Sequence, residues 1–359
     1  MVNKAFVEGL NDIYSFVEHG SNRRFGMSRQ SLLNPTNGLY FLKHFLEWIW
    51  HLSKVRPDIA HYAINSGWAL EKSLLFLKTA RFFGAKTVGH LHSGSLLKFW
   101  RKIPEGRRRR ALEGLLRLDG LVVLSNYWQQ EIRNLLNFPE KKLFVVNNPI
   151  DAQFERPALE FPFERNNLSI LSLGVMGREK GVMDLLDAIG QLKQSGKSGF
   201  SLQLAGPERE PGILMNVKQH LKEHDLENIV SLLPGVWGEE KLNLFRNASI
   251  FVLPSYIENF PLVVLEAAAA GMAIITTPVG ATPEFFVHNE SALFVKPGNV
   301  TQLAEALVRL VESPAERVRL GRAARDVFQK RLSRQKIMES MAAVYAAVLN
   351  GHGSGALNS

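Results

Sequence analysis

The chain has 359 residues, 46% of them hydrophobic and 21% charged. That composition excludes a disordered protein, and the length exceeds one ordinary core, so two domains with a cleft between them are expected. It holds no cysteine, which excludes disulfides and thiolate metal centres and fits a reducing cytosol. The net charge of +9 is uneven: residues 1–150 hold 22 Lys and Arg against 11 Asp and Glu, whereas residues 151–359 hold 21 against 23. The basic surplus points to an anionic partner for the first half, whether membrane, nucleic acid or acidic substrate.

In chain order, MVNKAFVEGLNDIYSF lacks a basic region followed by an apolar core, so no secretory leader is read and a cytoplasmic protein is expected. YFLKHFLEWIWHLSK at 40–54 falls short of the roughly 20 residues that span a bilayer and is interrupted by Lys43, His44 and Glu47. It reads as an amphipathic helix. Apolar runs at 58–64, 86–92, 120–125 and 143–148, separated by helical stretches, predict a parallel α/β domain over 1–150. Residues 151–167, polar and proline-containing, read as a linker.

The rhythm resumes with strands at 168–174, 200–206, 228–235, 249–255, 272–277 and 292–297. Helices are expected at about 180–194, 239–247, 260–270, 300–312 and 315–349. This predicts a second doubly wound domain over 168–332, followed by a helix at 333–350 open to crossing back to the first domain. The tail, 351–359, is rich in glycine and serine and reads as disordered. The fold class is α/β, with two Rossmann-like domains that bind ligands beyond the carboxyl ends of their strands.

ENFPLVVLEAAAAG at 258–271 carries the strongest chemical signal. Pro261 suits the first helical position and Gly271 the far end, giving a helix of about ten residues. Apart from Glu266 this helix has no polar face, so it should be buried, and a lone carboxylate there is costly unless hydrogen-bonded. Fully helical spacing would put Glu258 and Glu266 roughly 12 Å apart, with the helix N-terminus and its free N–H groups between them. Two carboxylates flanking an anion site form a mould for a nucleotide sugar. In that reading Glu258 accepts from sugar hydroxyls, amides near Phe260 and Leu262 face the diphosphate within a donor-binding stretch that includes Asn259 and Pro261, and Glu266 accepts from the ribose. The competing readings are dipole complementation for Glu258 and a backbone partner for Glu266. SLGVMGREKG at 172–181 adds a strand-to-helix turn in which Gly174 admits a phosphate and Arg178 and Lys180 add charge, although an ordinary turn with solvated basic residues would look the same.

With these motifs in order, residues 168–349 resemble the donor-binding domain of the family 4 glycosyltransferases, retaining enzymes of the GT-B fold. The resemblance rests on the two glutamates in PSYIENFPLVVLEAAAAG, the following VGATPE, GREKGVMDLLDAI, and PGNVTQLAEALVRLVESPAERVRLGRAAR. It implies that Lys180 binds the donor diphosphate, Glu258 holds the transferred sugar and Glu266 the ribose. It also implies transfer without a metal or other cofactor, to a glycolipid or polysaccharide hydroxyl. Val175 stands where the family's Arg is usual, leaving the phosphate to Lys180 with Arg178 as substitute. Gly206, Gly280 and Glu284 are weaker candidates: Ala281 replaces a frequent second glycine, and the helix dipole explains Glu284 equally well.

In the first half, GHLHSG puts His90 and His92 on one face of a strand end. No carboxylate cluster or cysteine completes a metal set with them. His92, before Ser93 and Gly94, matches a family histidine whose implied role is contact with the donor sugar near its reacting carbon; a structural loop histidine is the alternative. KFWRKIPEGRRRRALEGLLRL at 98–118 combines Phe99, Trp100, Arg101 and Lys102 with Arg107, Arg108, Arg109 and Arg110. It suits an anionic membrane surface, and no nucleic-acid motif accompanies it; a solvated helix face competes. The family's opening strand and glycine-rich loop are not read, residues 3–10 already resembling the helix that follows them. A fragment, a misplaced start or an absent strand would each give this. A non-catalytic relative and a nucleotide-sugar isomerase of the same fold stay open as alternatives.

Overall fold

The computed structural model describes residues 2–18, 35–92, 94, 96–155 and 168–351. Most of the expected linker, 156–167, the tail from 352 onward and Ser93 lie outside them. Contacts group Asn3–Val146 and the chain from Met338 onward into one compact unit, and Asn147–Ile337 into another.

The first unit opens with helices α1 (Val2–Leu10) and α2 (Pro35–Val55). It continues through β1 (Ile59–Ile64), α3 (Trp68–Phe82), β2 (Lys86–Leu91), α4 (Leu96–Lys102), α5 (Glu105–Leu116), β3 (Gly120–Val123), α6 (Asn126–Leu136) and β4 (Leu143–Val145). The four strands form one parallel sheet in chain order. β3, GLVV, is buried throughout, as an apolar run covered by helices should be. Ser125 caps α6, its hydroxyl accepting from the Trp128 N–H at 3.3 Å.

The second unit runs β5 (Leu168–Leu173), α7 (Val182–Gln194), β6 (Phe200–Ala205), α8 (Ile213–Glu223), β7 (Val230–Leu233) and α9 (Gly238–Asn247). It continues with β8 (Ile250–Leu253), α10 (Leu262–Ala269), β9 (Ala273–Thr276), α11 (Thr282–Phe285), β10 (Leu293–Phe294), α12 (Val300–Glu312) and α13 (Pro314–Arg331). The parallel sheet has the order β10-β9-β8-β5-β6-β7. β5 and β8 are therefore neighbours from which the chain winds away in opposite directions, and the crevice past their carboxyl ends is the topological switch point. The segments leaving those two strand ends are 174–181 and 254–261.

Three differences from the sequence reading have physical causes. The last helical stretch is not one helix over 315–349 but α13 followed by α14 (Arg334–Leu349). Neither Gly nor Pro marks the break: both carboxylate oxygens of Glu155 accept from the Arg334 N–H at 2.9 Å, a tertiary cap invisible in local sequence. α8 replaces an unassigned stretch, burying Ile213, Val217 and Leu221 at four-residue spacing. Pro261 is the N-cap of α10, with extended φ and ψ, and its carbonyl accepts from the Val264 N–H at 3.0 Å. The helix itself is eight residues long.

Candidate functional site

The switch point is held together by backbone. The Tyr256 N–H donates to the Glu179 carbonyl at 2.9 Å, tying the loop after β5 to the loop after β8. At Gly280, with φ +59°, a Cβ would stand 2.4 Å from the Glu258 carbonyl oxygen, and the neighbouring Ala281 N–H donates to the Asn259 carbonyl at 3.1 Å. A side chain at 280 would push the 258–259 segment away. Gly206, with φ +137°, lies so close to Gly174 that a Cβ would meet the Gly174 carbonyl oxygen at 1.7 Å, which closes the ends of β5 and β6 together.

This backbone brings Lys180 onto Glu258, Nζ to Oε1 at 2.6 Å. Ser255 Oγ donates to the same oxygen at 2.7 Å. The pair is only partly accessible, so its charges are less screened than those of a surface ion pair. Arg178, expected beside Lys180, goes elsewhere: its side chain is exposed, and its Nε lies 3.2 Å from Glu210, whose other oxygen accepts from the Arg178 N–H. Phe260 is buried and meets Phe285 edge-on at 5.9 Å, so its side chain anchors the loop. Glu284 sits in the first turn of α11.

Glu266 is 4% exposed, and Lys241 of α9 reaches its Oε1 at 2.6 Å. The Lys241 ammonium lies 5.4 Å from the Phe154 ring centroid and 6.0 Å from that of Phe245, an aromatic lining that suits a desolvated cation. Oε2 of Glu266 is buried with no hydrogen-bond partner. Burial pushes the Glu266 carboxyl above its ordinary value, Lys241 pulls it back and Asp151 pushes it up. A carboxylate pinned through one oxygen and unpaired at the other keeps one acceptor unsatisfied in the protein alone. Arg325 fixes the far end of α10, Nε donating to the Ala269 carbonyl at 3.1 Å and Nη2 to that of Ala270 at 3.0 Å.

Lys241, Ser255 and Asp151 are the residues the sequence reading missed. Lys241 lies in GEEKLNLFRN, where flanking acids suggest a solvated helix face; its spacing of four from Phe245 is the one signal that turns it inward.

In the first unit, His90 is fully buried and neither ring nitrogen has a partner. Its ring centroid is 4.1 Å from that of His92 and 5.3 Å from that of His61. The His61 Nδ1 lies 2.7 Å from the hydroxyl of Tyr345 on α14. Burial drives His61 down to about 3 and His92 down to about 4, and His90 well below 6.5, so all three imidazoles are neutral at pH 7. Among the described residues no group of three or more His, Cys, Asp or Glu is arranged to hold a metal.

The expected docking segment is corrected in part. Trp100 is 3% exposed and packs in the core with Leu96 and Ile103, so it cannot reach a membrane. Phe99 packs partly against the same core, and Arg107 pairs with Glu71 while lying over the Trp68 and Phe99 rings at 4.5 and 5.4 Å. Arg108 is half-buried and donates to the Ile103 carbonyl at 3.3 Å. Arg101, Lys102, Arg109 and Arg110 remain exposed.

Comparison with known families assigns each half. The family Glycosyl transferases group 1 matches residues 156–327, and Glycosyltransferase Family 4 matches residues 15–154. The chain is a pair of glycosyltransferase domains on the GT-B fold. The pair is similar to a glycogen synthase of Mycobacterium tuberculosis, 28% identical over 82% of this chain and 70% of that one. A D-inositol 3-phosphate glycosyltransferase of Pseudarthrobacter chlorophenolicus is 27% identical over 69% of this chain and 62% of its own. In fold, these glycosyltransferase domains match a Rickettsia africae glycosyltransferase with TM-score 0.72 at 20% identity, covering 90% of this chain and 84% of that one. Anabaena HepE in complex with UDP matches with TM-score 0.70 at 18% identity, covering 86% and 84%.

Proposed function

We propose that the protein is a retaining glycosyltransferase that moves a sugar from a nucleotide diphosphate sugar to a hydroxyl of a lipid-linked or polysaccharide acceptor, at or near the cytoplasmic face of a membrane. The observation that carries this reading is the unpaired Oε2 of Glu266, a buried acceptor on the helix that follows the Lys180–Glu258 pair at the switch point. Relatives named as glycogen synthase, as D-inositol 3-phosphate glycosyltransferase and as amylovoran biosynthesis glycosyltransferase support the reaction class. A solved neighbour in complex with UDP-glucose supports the donor class.

In this reading the ribose hydroxyls give their hydrogen bonds to Glu266, whose charge and orientation Lys241 maintains. Lys180 and the amides at the start of α10, near Phe260 and Leu262, meet the diphosphate, and Glu258 accepts from hydroxyls of the transferred sugar. As the glycosidic bond breaks, negative charge grows on the leaving diphosphate, and Lys180 with those amides stabilises it in place of a metal ion. The acceptor hydroxyl attacks from the side the diphosphate leaves, passing its proton to a diphosphate oxygen, and neutral His92 contacts the sugar near the reacting carbon. Lys180 therefore exchanges its bond to Glu258 for one to phosphate when donor binds.

Nucleotide release and binding measured across UDP-, GDP- and ADP-sugars, with membrane extract as the acceptor source, test this. One donor class should bind and turn over with acceptor and survive without it. Conversion of the donor in the absence of acceptor would replace transfer by isomerisation, and the absence of binding to every donor would end the reading.

A further inference from the structure

The exposed apolar side chains of the first unit are not scattered. On α2, Leu39, Leu42, Leu46 and Trp50 follow a spacing of three, four and four residues, which places them on one stripe, and each is 51 to 69% exposed. The opposite stripe, with Phe41, Phe45 and Trp48, packs on Phe76 of α3, and the Trp48 Nε1–H donates to the Phe76 carbonyl at 3.0 Å. α2 thus satisfies its core with one face and still presents a second apolar face outward. α3 repeats the arrangement. Trp68, Leu75 and Phe82, seven residues apart, form an exposed line on a helix already buried along Leu70, Phe76, Leu77 and Ala80. α3 packs against both α2 and α5, so these stripes belong to one run of neighbouring helices. Single exposed hydrophobics need no explanation, but aligned stripes on packed neighbours do.

The charge around the stripes selects the occupant. Lys43, Lys54 and Lys78 are exposed on the same two helices, and Arg101, Lys102, Arg109 and Arg110 are exposed on α4 and α5. Of the four acids on these helices, Glu71 is taken by Arg107, Glu47 lies 3.9 Å from Lys43, Glu113 lies 4.0 Å from Arg109 and Glu105 is exposed at the start of α5, so the basic side chains outnumber them. Leucine and tryptophan flanked by unbalanced lysine and arginine is the pattern of a helix lying in the headgroup region of an anionic bilayer. Among the described residues no helix is long and apolar enough to cross a membrane, so these helices meet lipid along their sides.

We propose that the outer stripes of α2 and α3 dock the first unit on an anionic lipid surface, with Leu42, Leu46, Trp50, Trp68 and Phe82 entering the headgroup region and the exposed basic side chains facing the phosphates. The docking surface is therefore the α2–α3 face, with α4 and α5 contributing only charge. This does not rest on the transfer reaction, and its test needs neither donor nor acceptor.

The test is cosedimentation of the full chain with phosphatidylcholine vesicles, with and without about 30 mol% phosphatidylglycerol. Binding should be at least about tenfold stronger on the anionic vesicles and weaken with salt. Combined Leu42→Ser, Leu46→Ser and Trp50→Ser should lower it about a hundredfold while leaving the unfolding midpoint unchanged, since all three side chains are exposed. Should the triple variant not fold, lipid-borne bromine quenching of tryptophan fluorescence in the parent protein, compared with Trp50→Phe and Trp68→Phe, reads the same contact. Loss of quenching in those two variants supports docking. Equal vesicle binding by parent and triple variant would overturn the proposal. So would no binding to either vesicle, including the case in which the stripes bring together a second copy of the chain that light scattering detects and the triple variant abolishes.

Discussion

The two units solve the same problem, polar groups buried beneath the ends of parallel strands, in opposite ways. In the second, charge is kept and matched: Lys180 with Glu258 and Lys241 with Glu266, each at 2.6 Å. In the first, charge is given up. His61, His90 and His92 sit with centroids 4.1 to 5.3 Å apart, and burial holds each imidazole neutral. An imidazole loses its charge near neutral pH at small cost, whereas a carboxylate buried at pH 7 needs a cation or a proton. Keeping Glu266 buried, paired through one oxygen and unpaired at the other, is the more costly arrangement, which the proposed function explains by a ligand hydroxyl.

The largest effect that separates the two regions should come from Lys180→Ala, which removes the cation that the proposed mechanism sets against developing diphosphate charge. Transfer should fall about 100- to 1000-fold in a steady-state assay, with the loss mainly in kcat. Lys241→Met should act through Glu266. Without the nearby ammonium the carboxyl, already raised by burial, rises further and keeps its proton to higher pH than in the parent. Donor affinity measured by calorimetry should then drop about tenfold at pH 7 and recover as pH increases. A loss independent of pH would mean that Lys241 touches the donor itself.

The histidines make a separate prediction, for stability against pH. Their folded values, about 3 for His61 and about 4 for His92, lie below the 6.5 of an unfolded chain. Their contribution is therefore complete above pH 6.5 and is lost as pH falls toward 4 and then 3, because the unfolded state takes up the protons first. Thermal unfolding from pH 8 to pH 4 should show the midpoint fall below about pH 6.5, and His61→Phe should flatten that decline. The smallest effect belongs to Arg178→Ala: an exposed guanidinium on Glu210 should change donor affinity by less than about threefold.

Much of this was legible beforehand. Among the described residues, all ten strands fall within the expected apolar runs, because a parallel strand covered on both faces is written as a short hydrophobic stretch between turn residues. Glu258 and Glu266 were legible because each is out of place in a greasy segment. Lys241 was not, since its partner lies 25 residues away and its spacing from Phe245 is the one local trace. Trp100 was misjudged on its basic neighbours, although Leu96, Trp100 and Ile103 already follow the helical spacing of a core face. A helix start near 333 was read, but its cap from Glu155, far away in the chain, could not be.

The central claim is that Glu266 Oε2 awaits a ribose hydroxyl. Glu266→Gln keeps an oxygen for Lys241 and replaces Oε2 by an amide that donates. The decisive measurement is calorimetric affinity of parent and variant for UDP, or the nucleoside diphosphate the donor panel selects, and for its 2′,3′-dideoxy form. The account predicts that Glu266→Gln weakens the ribonucleotide about 30-fold, near 2 kcal/mol, and leaves the dideoxynucleotide unchanged. Equal losses for both nucleotides, or none for either, would contradict it.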